Sequence, residues 1–377
     1  MKKSVSLFII LSMLFLNVHI YAEPLTPDVK SAILMEASTG TVLYEQNADE
    51  HLPIASVTKI MTMLLIMEQI DSGALSFDDM VTVSENAMSY GGSTMFLEAG
   101  EALSVHDMMK GIAVASANDG CVAMAEHIAG SESAFVEMMN KRAGELGMMD
   151  TVFLNTNGLD EDGQYSSARD VAIMSKELIK HEKVFEYTKI WTDSLRDGKF
   201  ELANTNRLVR FYNGATGLKT GSTSKAGCCL SATAQRDGMS LIAVVLGAPD
   251  TKTRFASATA LLNHGFSGYG VKKQVEKGEP TGLINVSKGI KKEVETEAKD
   301  SFSTLSPKVN PRNIEKNVVL YDTATAPIKK GDKVGEITFT ENGEQICSVE
   351  IVASEDVAKK GFHLVFTDML YALLYSK

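Results

Sequence analysis

The sequence predicts an α+β fold in which helices pack on one antiparallel sheet, followed by a small all-β domain. Strand-like segments lie at residues 31–45 and again after residue 210, and a long, mainly helical stretch separates them. Such strands form one layered unit when they join the same sheet. From about residue 271 the chain becomes charged and alternating, which is typical of strands with one buried face.

The composition excludes several classes of protein. The chain has 377 residues, of which 44% are hydrophobic and 23% charged, so it can bury a substantial core and is not disordered or collagen-like. It carries 48 acidic against 37 basic residues, a formal net charge of −11. Because a nucleic-acid ligand requires a basic surplus to neutralise its phosphates, we expect no nucleic-acid partner.

Residues 1–22 are expected to be an export signal. Two lysines follow the initiating methionine, an apolar stretch runs from Val5 to Val18, and Ala22 supplies a small residue for cleavage. The alternative is a retained membrane anchor, but the stretch is shorter than the ~20 apolar residues of a spanning helix. We therefore expect an exported protein.

Each element of the first unit has a local signal. Residues 31–45 read as two short strands around Thr39-Gly40. After Pro53, apolar residues recur at helical spacing as far as Ile70. Further helices are expected to start at Ser104 and to cover residues 118–128, 133–146 and 167–179.

After Arg210 the pattern changes to strands. The segments TGLKTGSTS, AGCCLSATAQ and MSLIAVVLG favour strands, and a turn at residues 236–238 joins the last two. A helix over residues 252–262 is expected to close the unit. We assign this first unit to residues 23–266.

A small all-β domain is predicted over residues 271–355. Roughly 80 residues are enough for a domain that folds alone. Asn342-Gly343 is a typical hairpin turn, and no group of residues suited to catalysis occurs in this part of the sequence. The expected strands are GLINV, IKKEVETEA, NVVLYDT, KVGEITFT and QICSVEIVA.

The last segment, residues 356–377, is predicted to form an amphipathic helix. From Gly361 to Tyr375 the chain is almost entirely apolar, and lysines bracket this run. It is too short to span a bilayer upright. Two alternatives follow, a helix packed on protein or a helix lying in the membrane interface, and composition favours neither.

No metal or cofactor site is evident in the sequence. The histidines show no HxxxH spacing, and the cysteines show neither a zinc-binding spacing nor a disulfide framework. We expect buried free thiols at Cys121, Cys228, Cys229 and Cys347, and neither metal nor cofactor.

The first candidate for catalysis is the pair Ser56 and Lys59. At positions i and i+3 of a helix, the two side chains share a face and can form a hydrogen bond. A neutral lysine can take the serine proton if burial and a nearby positive charge lower its pKa, because both penalise the ammonium form. The same Ser-x-x-Lys spacing recurs at Ser222 and Lys225, so the motif alone does not distinguish a catalytic lysine from a solvated one.

Two further motifs are candidates for the same site. Ser116 and Asn118 lie at a junction between helical segments, where they either face inward or cap a helix. Lys219, Thr220 and Gly221 lie in a strand-like run, and Gly221 would let a substrate backbone approach closely. Taken alone, Lys219 is equally an exposed strand lysine.

In chain order, Ser-x-x-Lys, Ser-x-Asn and Lys-Thr-Gly resemble the signature of the penicillin-binding proteins and serine β-lactamases. The resemblance to D-alanyl-D-alanine carboxypeptidases of the low-molecular-mass penicillin-binding group covers essentially the whole mature chain. It is carried further by ASVTKIMTMLL, ASANDGCVAMAE, FLNTNGL, SARDVAIMSKELI, GLKTGSTSKAG and PIKKGDKVGEI.

This resemblance implies a β-lactamase/DD-peptidase-like fold and a function. The enzyme would remove the terminal D-alanine from peptidoglycan pentapeptide stems through an acyl-enzyme, and β-lactam antibiotics would acylate the same serine. The resemblance also favours the membrane alternative for residues 356–377, which would hold the enzyme on the outer face of the cytoplasmic membrane.

The catalytic roles that the resemblance implies fall on three residues. Ser56 would be the acylated nucleophile and Lys59 its proton acceptor. Ser116 would relay a proton to the leaving D-alanine. The backbone N–H groups of Ser56 and Ser222 would form the oxyanion hole.

The resemblance implies substrate-binding roles for the remaining candidates. Asn118 would hold the peptide amide. Lys219 would lower the pKa of Lys59 and attract the substrate carboxylate, and Thr220 would bind that carboxylate. Arg207 and Arg254 would lie near the carboxylate site.

One departure from the β-lactamase pattern bears on activity. The middle motif is Ser-Ala-Asn, and no Glu-x-x-Leu-Asn lies between Asn118 and Lys219. The carboxylate that activates the deacylating water in the best-known β-lactamases is therefore missing. The alternatives to a carboxypeptidase are a serine β-lactamase and a non-catalytic wall-binding protein on the same fold.

Overall fold

The computed structural model describes residues 25–375, so the expected export signal lies outside the described residues. The helices are α1 (Lys59–Asp71), α2 (Glu85–Met88), α3 (Val105–Lys110), α4 (Asn118–Ala129), α5 (Glu132–Glu145), α6 (Ala168–Leu178), α7 (Phe185–Thr188), α8 (Leu208–Phe211), α9 (Thr251–Gly268) and α10 (Phe362–Tyr375). Shorter turns are a 3-10 turn at Ala55–Thr58, a π-helical turn at Gly111–Ala115 and a 3-10 turn at Glu182–Val184.

The strands follow the same chain order. They are β1 (Ser31–Glu36), β2 (Val42–Gln46), β3 (Met80–Thr82), β4 (Ala102–Ser104), β5 (Thr192–Leu195), β6 (Phe200–Ala203), β7 (Ala215–Thr223), β8 (Gly227–Arg236), β9 (Met239–Ala248), β10 (Tyr269–Val275), β11 (Pro280–Ser287), β12 (Glu293–Ala298), β13 (Phe302–Pro307), β14 (Ile314–Leu320), β15 (Thr323–Thr325), β16 (Lys333–Glu341) and β17 (Glu344–Ala353).

The first unit is built on a five-stranded antiparallel sheet in the order β2-β1-β9-β8-β7. The N-terminal hairpin pairs with β9, a strand more than 190 residues later in the chain, with Ser31 opposite Leu246. The predicted α+β fold, with one sheet assembled from distant segments, is confirmed. The edge strands of this sheet are β2 and β7, and β7 lies beside the candidate site.

Both faces of this sheet are buried. Ile33 and Val244 face the core that includes the helices α1, α4 and α6. Leu34 and Val245 face a second core together with Leu261 of α9. Because successive strand residues point to opposite faces, strands covered on both sides are apolar throughout, which explains the continuous apolar runs of β1 and β9.

The predicted helices are confirmed, and the largest departure is α9, which extends to Gly268 where the sequence pattern predicted an end at residue 262. Ser104 caps α3 by accepting from the Asp107 N–H at 3.1 Å, as its position predicted. The helix expected after Pro53 differs at its start, since its first turn is a 3-10 turn and α1 begins at Lys59. Ala55 has a φ of 49°, which no α-helix accommodates.

The C-terminal part is all β up to α10, as predicted. A six-stranded sheet has the order β14-β16-β17-β12-β11-β15. The strands β10 and β13 pair with each other, and the sequence pattern predicted neither. Asn342 and Gly343 form the predicted hairpin turn with φ of 52° and 84°. The buried core of this C-terminal part includes Ile337, Phe339 and Ile351.

The helix α10 extends from this part with every described side chain exposed. Lys360 forms an ion pair with Asp368 at 2.5 Å. Within residues 25–375, no helix combines the length and apolar character needed to cross a membrane. The exposure of these side chains shows that α10 is not buried against the rest of the described chain, and its contact with a membrane remains a prediction.

Candidate active site

The predicted nucleophile and base meet at the start of α1. Lys59 is fully buried, whereas Ser56 is half-buried and reachable from solvent. The Lys59 Nζ lies 2.9 Å from the Ser56 Oγ. The i and i+3 spacing thus brings the two groups into direct hydrogen-bonding contact.

The Lys59 amine has two further oxygen partners. Its Nζ donates to the Asn118 Oδ1 at 2.6 Å and to the Asn157 backbone oxygen at 2.5 Å. A neutral amine has two N–H groups and one lone pair. With its two N–H groups on these carbonyl oxygens, the neutral amine directs its lone pair at the Ser56 hydroxyl, the orientation that a general base requires.

Burial makes this neutral form accessible. Burial, as the larger effect, lowers the pKa of Lys59 from 10.5 to about 8, while Cys121 and Asp119 on α4 oppose the shift. Burial also lowers the pKa of Lys219, and the charge of neighbouring Lys59 adds to that effect. The resemblance attributes the low pKa of Lys59 to a nearby positive charge, whereas desolvation is the leading cause in the structure.

Two glycines let the backbone close around the nucleophile. A Cβ at Gly158, where φ is +86°, would lie 1.9 Å from the Ala55 oxygen. A Cβ at Gly221 would lie 2.9 Å from the Ser56 backbone nitrogen and 2.7 Å from the Ile54 oxygen. The sequence predicts that Gly221 lets a substrate approach. In the structure, the missing side chain of Gly221 also leaves room for the nucleophile's turn, the 3-10 turn that carries Ser56.

The second motif lies at a break between helical segments, as predicted. The π-helical turn ends at Ser116, which has a φ of 64° and is 4% exposed, and α4 begins at Asn118. The Asn118 Nδ2 donates to the Gly91 oxygen at 2.7 Å, while its Oδ1 accepts from Lys59. Asn118 therefore fixes the amine, a task additional to the binding role that the resemblance implies.

The third motif lies on β7, next to the other two. Lys219 is 1% exposed, and its Nζ donates to the Thr220 oxygen at 3.0 Å. The Thr220 Oγ1 lies 2.6 Å from the Thr205 Oγ1. The alternative of an exposed strand lysine at position 219 is therefore wrong.

The second Ser-x-x-Lys match is a surface feature. Lys225 lies just beyond the end of β7, its side chain is 58% exposed, and its Nζ pairs with Asp162 at 2.7 Å. Ser222 is exposed at the edge of the site, one residue after Gly221. Of the two Ser-x-x-Lys matches, the structure thus buries Lys59 and leaves Lys225 in solvent.

The two arginines differ in their surroundings. Arg254 on α9 is 6% exposed, and its Nη1 donates to the oxygen of Gly221 at 3.2 Å and of Cys229 at 3.5 Å. Its Nε has no partner within the described chain. Arg207 is exposed at the start of α8. Burial lowers the pKa of Arg254, and the positive charge of Arg207 lowers that pKa further. Arg254 supports the backbone of β7, and Arg207 lies near it.

Sequence reasoning missed the loop at residues 155–159 as part of the site. The Asn157 oxygen holds the amine of Lys59, and the Thr62 Oγ1 donates to the Thr156 oxygen at 2.6 Å. The available signal was Asn157-Gly158, a typical turn sequence inside the FLNTNGL segment.

The cysteines are free thiols, as predicted. Cys121, Cys228 and Cys229 are buried, while Cys347 is partly exposed and so departs from the expected burial. In the part of the chain that the structure describes, no group of three or more His, Cys, Asp or Glu residues is arranged to hold a metal ion.

The site as a whole combines a reachable serine hydroxyl, a buried amine directed at it and an edge strand beside the nucleophile. This combination is typical of serine-type enzymes, in which a buried base activates the nucleophile. Residues 19–250 match the family model described as D-alanyl-D-alanine carboxypeptidase, and residues 269–359 match the penicillin-binding protein 5 C-terminal domain.

Relatives of known sequence match most of the chain. It is 46% identical over 342 residues to the D-alanyl-D-alanine carboxypeptidase DacF of Bacillus subtilis (strain 168), covering 90% of this chain and 88% of that protein. It is 37% identical to the D-alanyl-D-alanine carboxypeptidase DacC of Escherichia coli (strain K12), covering 89% and 86% of the two proteins.

Solved structures give the same result. Penicillin-binding protein 5 from Haemophilus influenzae has a TM-score of 0.71 at 32% identity, covering 88% of this chain and 98% of that one. The peptidoglycan synthesis regulatory factor PBP3 from Streptococcus pneumoniae has a TM-score of 0.73 at 28% identity, covering 88% and 99%.

This chain belongs to the D-alanyl-D-alanine carboxypeptidase family. It is a serine-type D-Ala-D-Ala carboxypeptidase with a function in the cell wall, as the sequence predicted. Membership in this penicillin-binding family implies a peptidoglycan substrate and the binding of β-lactams.

Proposed function

We propose that Ser56 is the nucleophile that removes the terminal D-alanine from peptidoglycan pentapeptide stems. The observation that carries the proposal is the contact of the Ser56 Oγ with the Lys59 Nζ at 2.9 Å, with that amine held on two carbonyl oxygens. The neutral amine takes the hydroxyl proton as the Oγ attacks the carbonyl carbon of the penultimate D-alanine.

The tetrahedral intermediate then collapses to an ester on Ser56. Its oxyanion is stabilised by the backbone N–H groups of Ser56 and Ser222, which Gly221 allows to come together. The carbon–nitrogen bond breaks, and the leaving amine receives its proton from the Lys59 ammonium through Ser116. Water then hydrolyses the ester and releases the shortened stem.

Substrate recognition falls to the neighbouring side chains. A free carboxylate ends the scissile dipeptide, and Thr220 with Lys219 binds it, assisted by Arg207 and Arg254. Asn118 holds the peptide amide of the stem. These roles follow the family motifs, and they are supported by the position of Lys219 and Thr220 on β7, the strand whose Gly221 lies against the backbone of Ser56.

Penicillin tests the assignment directly. We expect intact-mass analysis after incubation with a penicillin to give one adduct, and peptide mapping to place it on Ser56. The Ser56→Ala variant is expected to gain no mass. Wild-type protein that takes up no penicillin, or an equal adduct on Ser56→Ala, would refute the proposal, and turnover of penicillin within seconds would instead indicate a β-lactamase.

We also propose that the enzyme is exported and held on the outer face of the cytoplasmic membrane. Residues 23–266 form the catalytic domain, 271–355 the small all-β domain and 356–377 the anchor. The charged start and apolar stretch of residues 1–22 support export. The support for the anchor is α10, whose apolar side chains, among them Phe366 and Leu370, are 55% and 43% exposed.

Deletion of residues 359–377 tests the anchor. We expect the shortened enzyme to bind penicillin at the wild-type rate and to leave the membrane fraction for the soluble fraction. The matched control replaces Val318 and Val319, two exposed apolar residues on β14, with Ser and is expected to leave partition unchanged. Membrane partition that survives the deletion would contradict the anchor.

A further inference from the structure

The carboxylate of Glu132 forms hydrogen bonds with two segments that line the active site, one at Tyr90 and one at Thr156. Glu132 is the first residue of α5 and belongs to none of the three motifs. Its Oε2 accepts from the phenol of Tyr90, and its Oε1 accepts from the Thr156 backbone N–H at 3.1 Å and the Thr156 hydroxyl at 2.8 Å. A carboxylate suits this position because it can accept all three hydrogen bonds.

The residues that directly follow the two partners of Glu132 carry the carbonyl groups that orient the catalytic amine. The Gly91 oxygen accepts from the Asn118 Nδ2 at 2.7 Å, which directs the Asn118 Oδ1 toward Lys59. The Asn157 oxygen accepts from the Lys59 Nζ itself at 2.5 Å. Gly91 and Asn157, whose carbonyl groups orient the amine, are therefore each the next residue after one that donates a hydrogen bond to the Glu132 carboxylate.

We propose that Glu132 is a positioning residue for acylation, which holds the Tyr90–Gly91 and Thr156–Asn157 segments against the amine of Lys59. The inference rests on the proposed function of Lys59 as the general base. While both segments are held, the two N–H groups of the neutral amine stay on their acceptors and the lone pair stays on the serine. When Glu132 is removed, the segments separate and water reaches the amine.

The electrostatic surroundings of Lys59 predict the direction in which its pKa shifts when Glu132 is lost. Asp119 and Cys121 on α4 and Lys219 on β7 are the titratable groups that face the amine. Burial is the main cause of its lowered pKa, so water beside the amine raises that pKa toward its ordinary value. Because the neutral amine is the reactive form, loss of Glu132 moves the rise of the acylation rate to higher pH.

Tyr90 provides a second, milder probe of the same link. Burial, together with the carboxylate of Glu132, raises the pKa of the Tyr90 phenol, so it remains a donor across the neutral range. The Tyr90→Phe variant removes one hydrogen bond and leaves the aromatic ring in place. The two hydrogen bonds between Glu132 and Thr156 remain, so a smaller effect in the same direction is expected.

The test is the second-order rate constant for acylation of the full chain by a fluorescent penicillin, followed from about pH 6 to 10. We expect Glu132→Ala to lower the rate at pH 7 by about tenfold and to move the midpoint to higher pH. Glu132→Gln retains an acceptor for Thr156 and is expected to recover part of the rate. Rates are normalised to the fraction of protein that is finally labelled, so partial unfolding does not mimic the effect.

Glu126 on α4 supplies the matched control. It anchors the start of α2, a few residues before Tyr90, by accepting from the Ser84 hydroxyl at 2.5 Å and the Asn86 amide at 2.8 Å. Within the described residues, its carboxylate forms no hydrogen bond with Tyr90 or Thr156. We expect Glu126→Ala to keep the wild-type midpoint. A shift in Glu126→Ala as large as in Glu132→Ala would overturn the inference.

Two other outcomes are decisive. Wild-type midpoints in both Glu132→Ala and Tyr90→Phe would overturn the inference while leaving the proposed function intact. If Glu132→Ala does not fold, the midpoint of Tyr90→Phe decides alone. Failure of the wild-type protein to become acylated at Ser56 would refute the proposed function as well, and this result is visible before any variant is compared.

Discussion

At the scale of single residues, the site depends on burying a group that ordinarily stays in water. Lysine is among the residues least often buried without a partner. Here Lys59 and Lys219 are both essentially inaccessible, and burial lowers the pKa of each. For Lys59, loss of the charge relieves the cost of desolvation, and the same loss creates a base.

The pH dependence of acylation follows from the pKa of Lys59. At pH 7 about one tenth of the amine is neutral if its pKa is about 8. Because only the neutral form accepts a proton, we expect the rate constant for acylation by penicillin to rise with pH and level off above about 8. Stopped-flow measurement with a fluorescent penicillin checks this, and a rate that falls from pH 6 to 8 would contradict it.

Substitution of the base is expected to remove acylation. Lys59→Arg keeps the positive charge but cannot lose it, since the guanidinium stays protonated, so we expect a rate loss of at least about 100-fold. The matched control is Lys225→Arg, the exposed lysine of the second Ser-x-x-Lys match, which should acylate at the wild-type rate. Equal losses in the two variants would count against a special role for position 59.

At the scale of elements, three irregular stretches rather than regular helices and strands bring the site together. The 3-10 turn at Ala55–Thr58, the left-handed Ser116 and the turn at residues 155–159 each depart from regular geometry. Local signals predicted the regular helices and strands well, because periodic apolar residues and caps act within a few positions. The irregular turns are stabilised by distant partners, such as Thr62 on the Thr156 oxygen.

The turn at residue 158 gives a test at this scale. In Gly158→Ala the new Cβ would lie 1.9 Å from the Ala55 oxygen at a positive φ, so the nucleophile's turn must move. We expect a loss of more than about 2 kcal/mol in the free energy of unfolding and a large loss of acylation. Urea denaturation and penicillin labelling measure the two effects.

Gly147 offers the comparison for that variant. It also has a positive φ, +75°, but a Cβ there would meet nothing within 4 Å. Gly147→Ala is therefore expected to cost only about 1 kcal/mol and to leave acylation unchanged. If Gly158→Ala behaves like Gly147→Ala, the close packing against the nucleophile's turn is not needed for activity.

At the scale of the whole molecule, the site lies entirely in the first unit, and the C-terminal part contacts that unit away from it. Leu305 of β13 packs into the core that α9 covers, and the Lys308 Nζ donates to the Phe266 oxygen at 2.7 Å. Phe266 is 8% exposed at the end of α9. The C-terminal part thus stabilises the first unit without supplying a catalytic group.

A chain that ends at Gly268 tests this division. We expect it to be acylated by penicillin within about twofold of the full chain, since no described site residue lies beyond Arg254. Its melting temperature should fall, because Phe266 becomes exposed and the contact with Leu305 is lost. A folded fragment that no longer binds penicillin would show that the C-terminal part contributes to the site.

The amino-acid pattern alone predicted the layered α+β fold, its longer helices, most of its longer strands and the three motifs, because apolar periodicity, caps and turns are local properties. It did not determine which of two Ser-x-x-Lys lysines is buried, or that the Asn157 oxygen and the Glu132 carboxylate support the amine. These points depend on contacts between segments that are distant in the chain. The pKa of Lys59 depends on solvent exclusion, and the orientation of its amine depends on a backbone oxygen 98 residues away in the chain, and no local pattern specifies either.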